Sequence, residues 1–260
     1  MKYLLITLMV TCTFSFWGFS QEFTYPLNTT SSLLISIDVS NTRLEIVGHD
    51  KNEIVIKYLG GAEVPDERAA GLEIVTAEKD NTGLGLFIKE EKDIVRIIKQ
   101  NIHKKAYYIM QVPSTVSIEI RETGWHGMEF RLSGINGNVS VIASHSNIFV
   151  NNMGGKIHAK TVSGSVYAEL GSWPELIKHE LSTVSGPVEI IIDKDARNSL
   201  KLNTISGVII TDFDLAQTIK YKGATLIRVG RIKKAIKLLN GGGGWLEASS
   251  VSGSIKIRLQ

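Results

Sequence analysis

A phrase of eight residues built around a glycine recurs six times between residues 134 and 257, and it limits the possible folds more than any other feature. Clear copies begin at Thr161 (TVSGSVYA) and at Ser250 (SVSGSIKI). The glycines in phase are Gly137, Gly155, Gly164, Gly186, Gly207 and Gly253. In-phase repetition of a short phrase is the signature of a repeat architecture, whose units bury their apolar faces against their neighbours.

The apolar positions of the phrase predict short strands with one buried face. The residue two places before each glycine is apolar, and the residue two places after it is always Val or Ile. These positions share the same parity, so a pleated strand directs both to one face. The residue three places after the glycine varies, as in Tyr167, Glu189 and Lys256, which is typical of an outward face. The glycine indicates a bend that needs positive φ or a close approach of the next layer.

The spacing of the glycines predicts the fold class. Successive glycines lie 18, 9, 22, 21 and 46 residues apart, which indicates coils of about 18–23 residues with two short strands each. We predict an all-β chain, a β-solenoid or β-helix-like stack of short repeats with an N-terminal β-rich region. The alternative is an antiparallel β-sandwich with coincidental Ser-Gly turns, since sandwiches also contain short strands at regular spacing. A sandwich does not explain why the residues around each glycine repeat in phase.

The start of the chain has the features of a secretory signal peptide. One basic residue, Lys2, precedes an apolar run from Leu4 to Val10, and small residues follow at Gly18 and Ser20. This order is typical of a cleaved signal, so we expect export to the periplasm, the cell surface or the extracellular space. An uncleaved membrane anchor is the alternative. The rest of the sequence has no second apolar run of spanning length.

The chain is expected to have three parts. Residues 1–20 are predicted as the signal peptide, 21–114 as an N-terminal β-rich region continuous with the stack, and 115–260 as the β-strand-repeat solenoid. The only cysteine, Cys12, lies in the predicted signal peptide. A mature chain without a thiol excludes disulfide scaffolds, cysteine nucleophiles and zinc–cysteine sites.

Alternating apolar residues predict further strands before the repeats, together with two short helical features. The predicted strands are Leu33–Val39, Arg43–Val47, Glu53–Lys57, Leu72–Thr76, Leu84–Lys89 and Ala106–Val112. A short helix is predicted at residues 65–70. A helical turn is predicted at residues 172–178, with Ser172 as its cap and Pro174 early in the turn.

Motifs for metal, phosphate or acyl-transfer chemistry are absent from the sequence. None of the six histidines forms a helix-spaced metal pair. His145 and His158 are metal ligands only if adjacent coils bring them together, and lone surface histidines are commoner. The serines of the phrase occupy turn positions, where hydrogen bonds to the local backbone explain them. The run from Gly241 to Gly244 lacks the Lys-Ser/Thr of a phosphate loop. We expect no cofactor and no metal.

Five carboxylates are candidates for glycan chemistry, because glycoside hydrolysis requires a pair of acids. They are Glu189, Asp193, Asp195, Asp212 and Asp214. The two Asp-x-Asp pairs also fit a calcium site. The alternative is that acids directly after a strand are ordinary turn residues.

A basic run lies between Asp214 and Glu247 and contains no acid. Its members are Lys220, Lys222, Arg228, Arg231, Lys233, Lys234 and Lys237. The run is a candidate patch for an anionic ligand such as an acidic glycan, a lipopolysaccharide phosphate or a membrane surface. The alternative is a solvated face that keeps the protein soluble. Nucleic acid is not expected as a partner, because the chain is predicted to be exported.

The repeat phrases, the glycine-rich stretch from Asn240 to Gly244 and the opening from Leu44 to Lys57 together resemble a bacterial family. It is the putative-adhesin family of β-strand-repeat proteins, whose defining domain has no established function. The resemblance covers most of residues 33–260, and the phrase is lost at 172–180 and at 224–239. The resemblance implies an exported β-solenoid with no established catalytic residues.

These observations lead to three hypotheses about function. The first is a non-enzymatic, exported adhesin or envelope interaction scaffold, whose partners are glycans or proteins of the envelope or of a host surface. This hypothesis rests on the repeat phrase, whose inward positions stay apolar from copy to copy while its outward positions vary. The second is a glycan-active β-helix enzyme that uses some of the five carboxylates. The third is a structural or signalling accessory of the envelope.

Overall fold

A computed structural model describes residues 21–28, 32–61, 78–213 and 233–260 of the chain. These residues form an all-β protein with two ten-stranded sheets of mixed pairing, so the all-β prediction is confirmed. No helix is found among them, and therefore none that has the length and apolar character to cross a membrane. The predicted signal peptide, the helix at 65–70 and the strand at 72–76 lie outside the described residues.

The strands cover most of the described residues. The first seven are β1 (Gln21–Pro26), β2 (Leu34–Val39), β3 (Thr42–His49), β4 (Glu53–Gly60), β5 (Leu86–Glu91), β6 (Ile94–Lys99) and β7 (Ala106–Pro113). The next seven are β8 (Ser117–Glu122), β9 (Glu129–Ser133), β10 (Val139–Ile142), β11 (Asn147–Asn151), β12 (Ile157–Thr161), β13 (Val166–Leu170) and β14 (Lys178–Thr183). The last six are β15 (Val188–Ile192), β16 (Asn198–Thr204), β17 (Ile209–Thr211), β18 (Lys233–Leu238), β19 (Gly244–Ser250) and β20 (Ile255–Leu259).

From β8 to β17, strands that follow one another along the chain belong to opposite sheets. Sheet A has the order β1-β4-β7-β3-β9-β11-β13-β15-β20-β17, and sheet B has the order β18-β16-β19-β14-β12-β10-β8-β2-β6-β5. We call two consecutive strands, one in each sheet, a tier. Neighbouring tiers pair in parallel, with Val166 opposite Ile148 on one side and opposite Val188 on the other. This pairing differs from the antiparallel pairing of the sandwich alternative.

The order of the tiers in space departs from the order in the chain at both ends. The β19–β20 tier lies between β14–β15 and β16–β17, so Lys178 is opposite Trp245. The β2–β3 tier likewise lies between β8–β9 and β6–β7. Antiparallel strands continue the sheets beyond these tiers: β4 and β1 in sheet A, and β5 and β18 in sheet B.

Inward-facing residues of both sheets form one hydrophobic core. Val166, Val188 and Ile255 are neighbours in sheet A and are fully buried, as the phrase predicts. The prediction for the position two places before the glycine is wrong in several copies. Val162, Ile205 and Val251 are 39–42% exposed, because the chain turns between this position and the strand and the alternation is interrupted. The prediction of a helical turn at 172–178 is also wrong. The segment contains one non-helical turn, in which the Ile177 amide donates a hydrogen bond to the Pro174 carbonyl (3.0 Å).

The glycines of the phrase are required by close approach between tiers rather than by positive φ. None of the six has φ in the left-handed region. A Cβ on Gly186 would lie 2.0 Å from the carbonyl oxygen of Gly164, and a Cβ on Gly155 would lie 2.2 Å from that of Gly137. Gly137 and Gly155 lie in turns from sheet A to sheet B, whereas the other four lie in turns from sheet B to sheet A. The spacing of nine residues between Gly155 and Gly164 is therefore half a tier-to-tier step.

A buried hydroxyl three places before the glycine links each tier to the next. The hydroxyl of Thr183 donates to the carbonyl of Gly164 (3.0 Å) and accepts from the amide of Gly186 (3.1 Å). The same pair of hydrogen bonds is made by Thr161, Ser250 and Thr204, each to the tier beside it. We call these four residues the hydroxyl ladder. The serines directly before the glycines were expected to make the turn hydrogen bonds instead.

Replacing Thr183 by valine should lower the free energy of unfolding by about 1–3 kcal/mol, because a buried amide and a buried carbonyl lose their partner. Replacing Thr183 by serine keeps the hydroxyl and should cost much less, since Ser250 already fills this position in another tier. Urea unfolding of residues 21–260, followed by circular dichroism, measures both changes. Equal destabilisation by the two substitutions would contradict a role for the hydroxyl.

Candidate functional site

The outer face of sheet A carries a furrow of about 390 Å³ that runs across the strands. One wall, the aromatic row, consists of residues that lie opposite one another on successive strands: Glu45, Arg131, Phe149, Tyr167, Glu189 and Lys256. The other wall, the polar row, lies two residues further along each strand: Ser133, Asn151, Glu169, Ile191 and Arg258. Because side chains alternate along a strand, both rows point away from the core. The floor between them is formed by Leu132, Val150, Ala168 and Ile190.

The centre of the aromatic row is a stack of side chains. The rings of Phe149 and Tyr167 are parallel within 3°, and their centroids are 4.7 Å apart. The guanidinium carbon of Arg131 lies 4.1 Å from the centroid of Phe149. Both faces of the Phe149 ring are thus covered, and such ring and cation contacts are favourable by about 0.5–1.5 kcal/mol each. The wall is ordered before any ligand binds.

Three of the four charged members of the aromatic row, Arg131, Glu189 and Lys256, are paired within the protein. The Nε of Arg131 lies 2.5 Å from Glu129 Oε1, and this hydrogen bond raises the pKa of Arg131. The Nζ of Lys256 donates to Glu189 Oε1 at 2.7 Å. These pairs fix the side chains at the two ends of the stack.

The hydrogen-bonding side chains of the polar row have no partner among the described residues. The side chains of Ser133, Asn151, Glu169 and Arg258 make no hydrogen bond or ion pair with any residue in the ranges that the structure describes. They supply a hydroxyl, an amide, a carboxylate and a guanidinium, one on each of four strands. These groups face the furrow and are available to a ligand.

The carboxylates predicted for catalysis are not gathered in this furrow. Only Glu189 lines it, and this side chain is paired with Lys256. Asp193 accepts a hydrogen bond from the amide of Asp195 (2.9 Å) in the turn after β15. Asp212 accepts from the amide of Leu259 (3.0 Å). Asp214 lies outside the described residues.

Most of the predicted basic patch falls outside the described residues. Lys220, Lys222, Arg228 and Arg231 lie there, whereas Lys233, Lys234 and Lys237 belong to β18, a strand paired antiparallel with β16. Binding of an anionic ligand by this patch stays a prediction.

The histidines considered as metal ligands have other surroundings. His145 lies in the turn between β10 and β11, and its amide donates to Glu122 Oε2 (2.7 Å). His158 lies on the outer face of sheet B, with its Nδ1 3.2 Å from Glu180 Oε2. Among the residues that the structure describes, no group of three or more His, Cys, Asp or Glu residues could hold a metal ion.

A histidine that the sequence analysis did not single out is buried between two tiers. His179 is 1% exposed, and its Nδ1 accepts a hydrogen bond from the amide of Ile157 (3.1 Å). Its ring is edge-on to Trp173, with the centroids 4.7 Å apart. Burial lowers the pKa of His179 from 6.5 to about 4, so the imidazole is neutral at physiological pH. A neutral ring that accepts through Nδ1 carries its proton on Nε2.

Comparison with known proteins gives two similar structures. No protein-family model matches the chain, and no curated protein matches it. A structure described as a putative cell adhesion protein from Clostridium sporogenes is 12% identical; the match covers 93% of this chain and 100% of that chain, with a TM-score of 0.48. A structure described as a putative adhesin from Bacteroides fragilis is 9% identical; the match covers 92% and 96%, with a TM-score of 0.26. Both descriptions name the kind of protein that the sequence resembles.

Proposed function

We propose that the protein is a non-enzymatic, exported β-solenoid that acts as an adhesin or envelope interaction scaffold and uses the furrow of sheet A as its contact surface. The observation that carries this proposal is the pairing of a preordered aromatic row with a polar row whose groups lack partners. Binding sites combine an apolar surface with a few placed polar groups in this way.

The solenoid part of the proposal is supported by the registers of the strands. Tiers that follow each other directly in the chain are offset by the spacing of the repeat, 18 residues between Ile148 and Val166 and 22 between Val166 and Val188. The close contacts of the glycines and the hydrogen bonds of the hydroxyl ladder join each of these tiers to its neighbour in space. Stacked units of this kind place equivalent outward residues in straight rows, so a surface that runs along the stack can contact an extended partner.

A contact role is favoured over catalysis by the state of the acids. Glycoside hydrolysis by paired carboxylates needs one acid as proton donor and a second as base or nucleophile across the scissile bond. Of the four predicted acids that lie in the described ranges, the furrow contains Glu189 alone, and its carboxylate is bound by Lys256 at 2.7 Å. The alternative of a glycan-active enzyme gains no support from the positions of Asp193, Asp195 and Asp212.

Replacing Tyr167 by alanine should lower binding to envelope or cell surfaces at least tenfold, because it removes half of the aromatic stack. The measurement uses fluorescently labelled residues 21–260 with intact bacteria, purified envelope and immobilised surface glycans. Trp125→Ala is the matched control, since Trp125 is an aromatic side chain that is 86% exposed on a turn outside the furrow. Loss of binding with Trp125→Ala but not with Tyr167→Ala, or no surface binding by the native chain, would contradict the proposal.

A further inference from the structure

The geometry points to a neutral, unbranched polysaccharide as the ligand of the furrow, which we infer lies across β9, β11, β13, β15 and β20 with about one sugar unit on each strand. This inference rests on the proposed function and names the chemical class that the site would bind. Each of the five strands contributes one residue to the aromatic row and one to the polar row.

The direction and repeat of the furrow fit an extended glycan. The furrow crosses the strands, so its contacts recur at the distance between neighbouring strands, about 4.8 Å. This distance is close to the length of one pyranose unit in an extended chain. A linear polysaccharide along the furrow therefore meets an equivalent pair of side chains at each successive sugar.

The charge of the lining favours a neutral polymer. The acids Glu45, Glu169 and Glu189 are balanced by Arg131, Lys256 and Arg258. An anionic polymer such as a polyuronate or a nucleic acid gains no net attraction from a balanced lining, and it loses hydration on entering the furrow.

The chemistry of the two walls fits hydroxyl-rich rings. The amide of Asn151, the carboxylate of Glu169 and the guanidinium of Arg258 are planar groups, each with two or more donors or acceptors, and they can bind neighbouring hydroxyls of a sugar. The opposite wall can pack against the sugar by van der Waals contact with two aromatic side chains, and it adds the phenol hydroxyl of Tyr167. The polar row would hold one edge of the glycan while the aromatic row packs against the other.

An extended peptide fits this surface less well than a glycan. Peptides that bind sheets pair with an open strand edge, where backbone groups are free. The floor of the furrow belongs to interior strands of sheet A, and their backbones are paired on both sides. A ligand here is restricted to side-chain contacts, which a polyhydroxylated chain can satisfy along its whole length.

Titration calorimetry of residues 21–260 with cello-, manno- and N-acetylglucosamine oligosaccharides of increasing length tests the inference. At least one neutral series should bind with an affinity that rises up to about five units and then levels off, with little dependence on salt. Asn151→Ala and Glu169→Ala should each weaken that binding about tenfold. Ser140→Ala, on the outer face of sheet B, is the control and should leave it unchanged.

The outcomes separate this inference from the proposed function. Tighter binding of oligogalacturonates, or affinity that falls steeply with salt, would overturn the neutral class of ligand. Surface binding that depends on Tyr167, without binding of any neutral oligosaccharide, would overturn the glycan inference and leave the contact role standing, with a protein partner in its place. Shortened oligosaccharides after incubation would overturn the non-enzymatic proposal itself.

Discussion

Replacing Gly253 by alanine is expected to lower the free energy of unfolding by at least about 3 kcal/mol, the upper range for forced overpacking of a core. The new Cβ would lie 1.8 Å from the carbonyl oxygen of Gly186 and 2.5 Å from its carbonyl carbon. Relief requires a shift of backbone rather than of a flexible side chain. That shift would separate β20 from β15 and pull Ser250 away from the Gly186 carbonyl, to which its hydroxyl donates (3.3 Å).

Gly171→Ala is the matched control for the substitution at Gly253. Gly171 has open space around its Cβ position and φ outside the left-handed region, so the change should stay within about 0.5 kcal/mol. Urea unfolding of the two variants and the native chain gives both values. Similar stabilities of Gly253→Ala and Gly171→Ala would show that the tiers are not in close contact at the glycines.

The phrase predicted the short strands of the repeat region and their buried positions. It predicted the structural role of its glycine only in part. The position two places after the glycine was assigned to the core, and Val166 and Val188 are buried there. The sequence left open whether the glycine provides positive φ or close approach. That choice depends on the distance to the neighbouring tier, which a single copy of the phrase does not contain. The recurrence of Thr or Ser three places before four of the glycines was the available signal for the hydroxyl ladder.

The phrase does not predict the order of the tiers in space, because equivalent copies can pair with one another in any order. Chain order would place β16 against β14, but β19 lies between them. Ion pairs across sheet B fit the observed order: Glu247 on β19 binds Lys178 of β14 (2.9 Å) and Lys201 of β16 (2.7 Å). Hydrogen bonds from these lysines lower the pKa of Glu247. In this order Glu247 also lies opposite Glu180, and Lys178 binds both acids, with 2.8 Å to Glu180 Oε1.

The sequence predicted that some residues of the furrow face outward, but it did not predict that they form one site. Tyr167, Glu189 and Lys256 were assigned to the outward face of the phrase, as the structure shows. Phe149 and Asn151 lie on β11, which begins outside any copy of the phrase, so the register that places them beside Tyr167 and Glu169 was missing. Shifting the sequence by 18 residues aligns these two pairs and would have shown the rows.

The stability of the protein is expected to fall by about 3 kcal/mol between pH 6.5 and pH 4 because of His179 alone. The folded state lowers the pKa of His179 from 6.5 to about 4. Between these values the unfolded chain binds a proton at this residue and the folded chain does not. The contribution of His179 to the free energy of unfolding is therefore fully present above about pH 6.5 and is lost as the pH falls toward 4. A difference of about 2.5 pKa units corresponds to about 3 kcal/mol.

The contact of His179 with Ile157 explains why protonation is unfavourable in the folded state. Nδ1 of His179 accepts a hydrogen bond from the amide of Ile157 (3.1 Å) in a buried site next to Trp173. A proton on Nδ1 would therefore face the N–H group of Ile157, which is also a donor. His179→Gln keeps an acceptor without a titrating group, and it should be less stable than the native chain at pH 7 by an amount that shrinks as the pH approaches 4. Carboxylates such as Glu180 titrate in both proteins and cancel in the difference. Urea unfolding midpoints measured from pH 4 to pH 8 give this difference curve, and a curve that is flat with pH would mean that His179 is protonated as readily in the folded state as in the unfolded one.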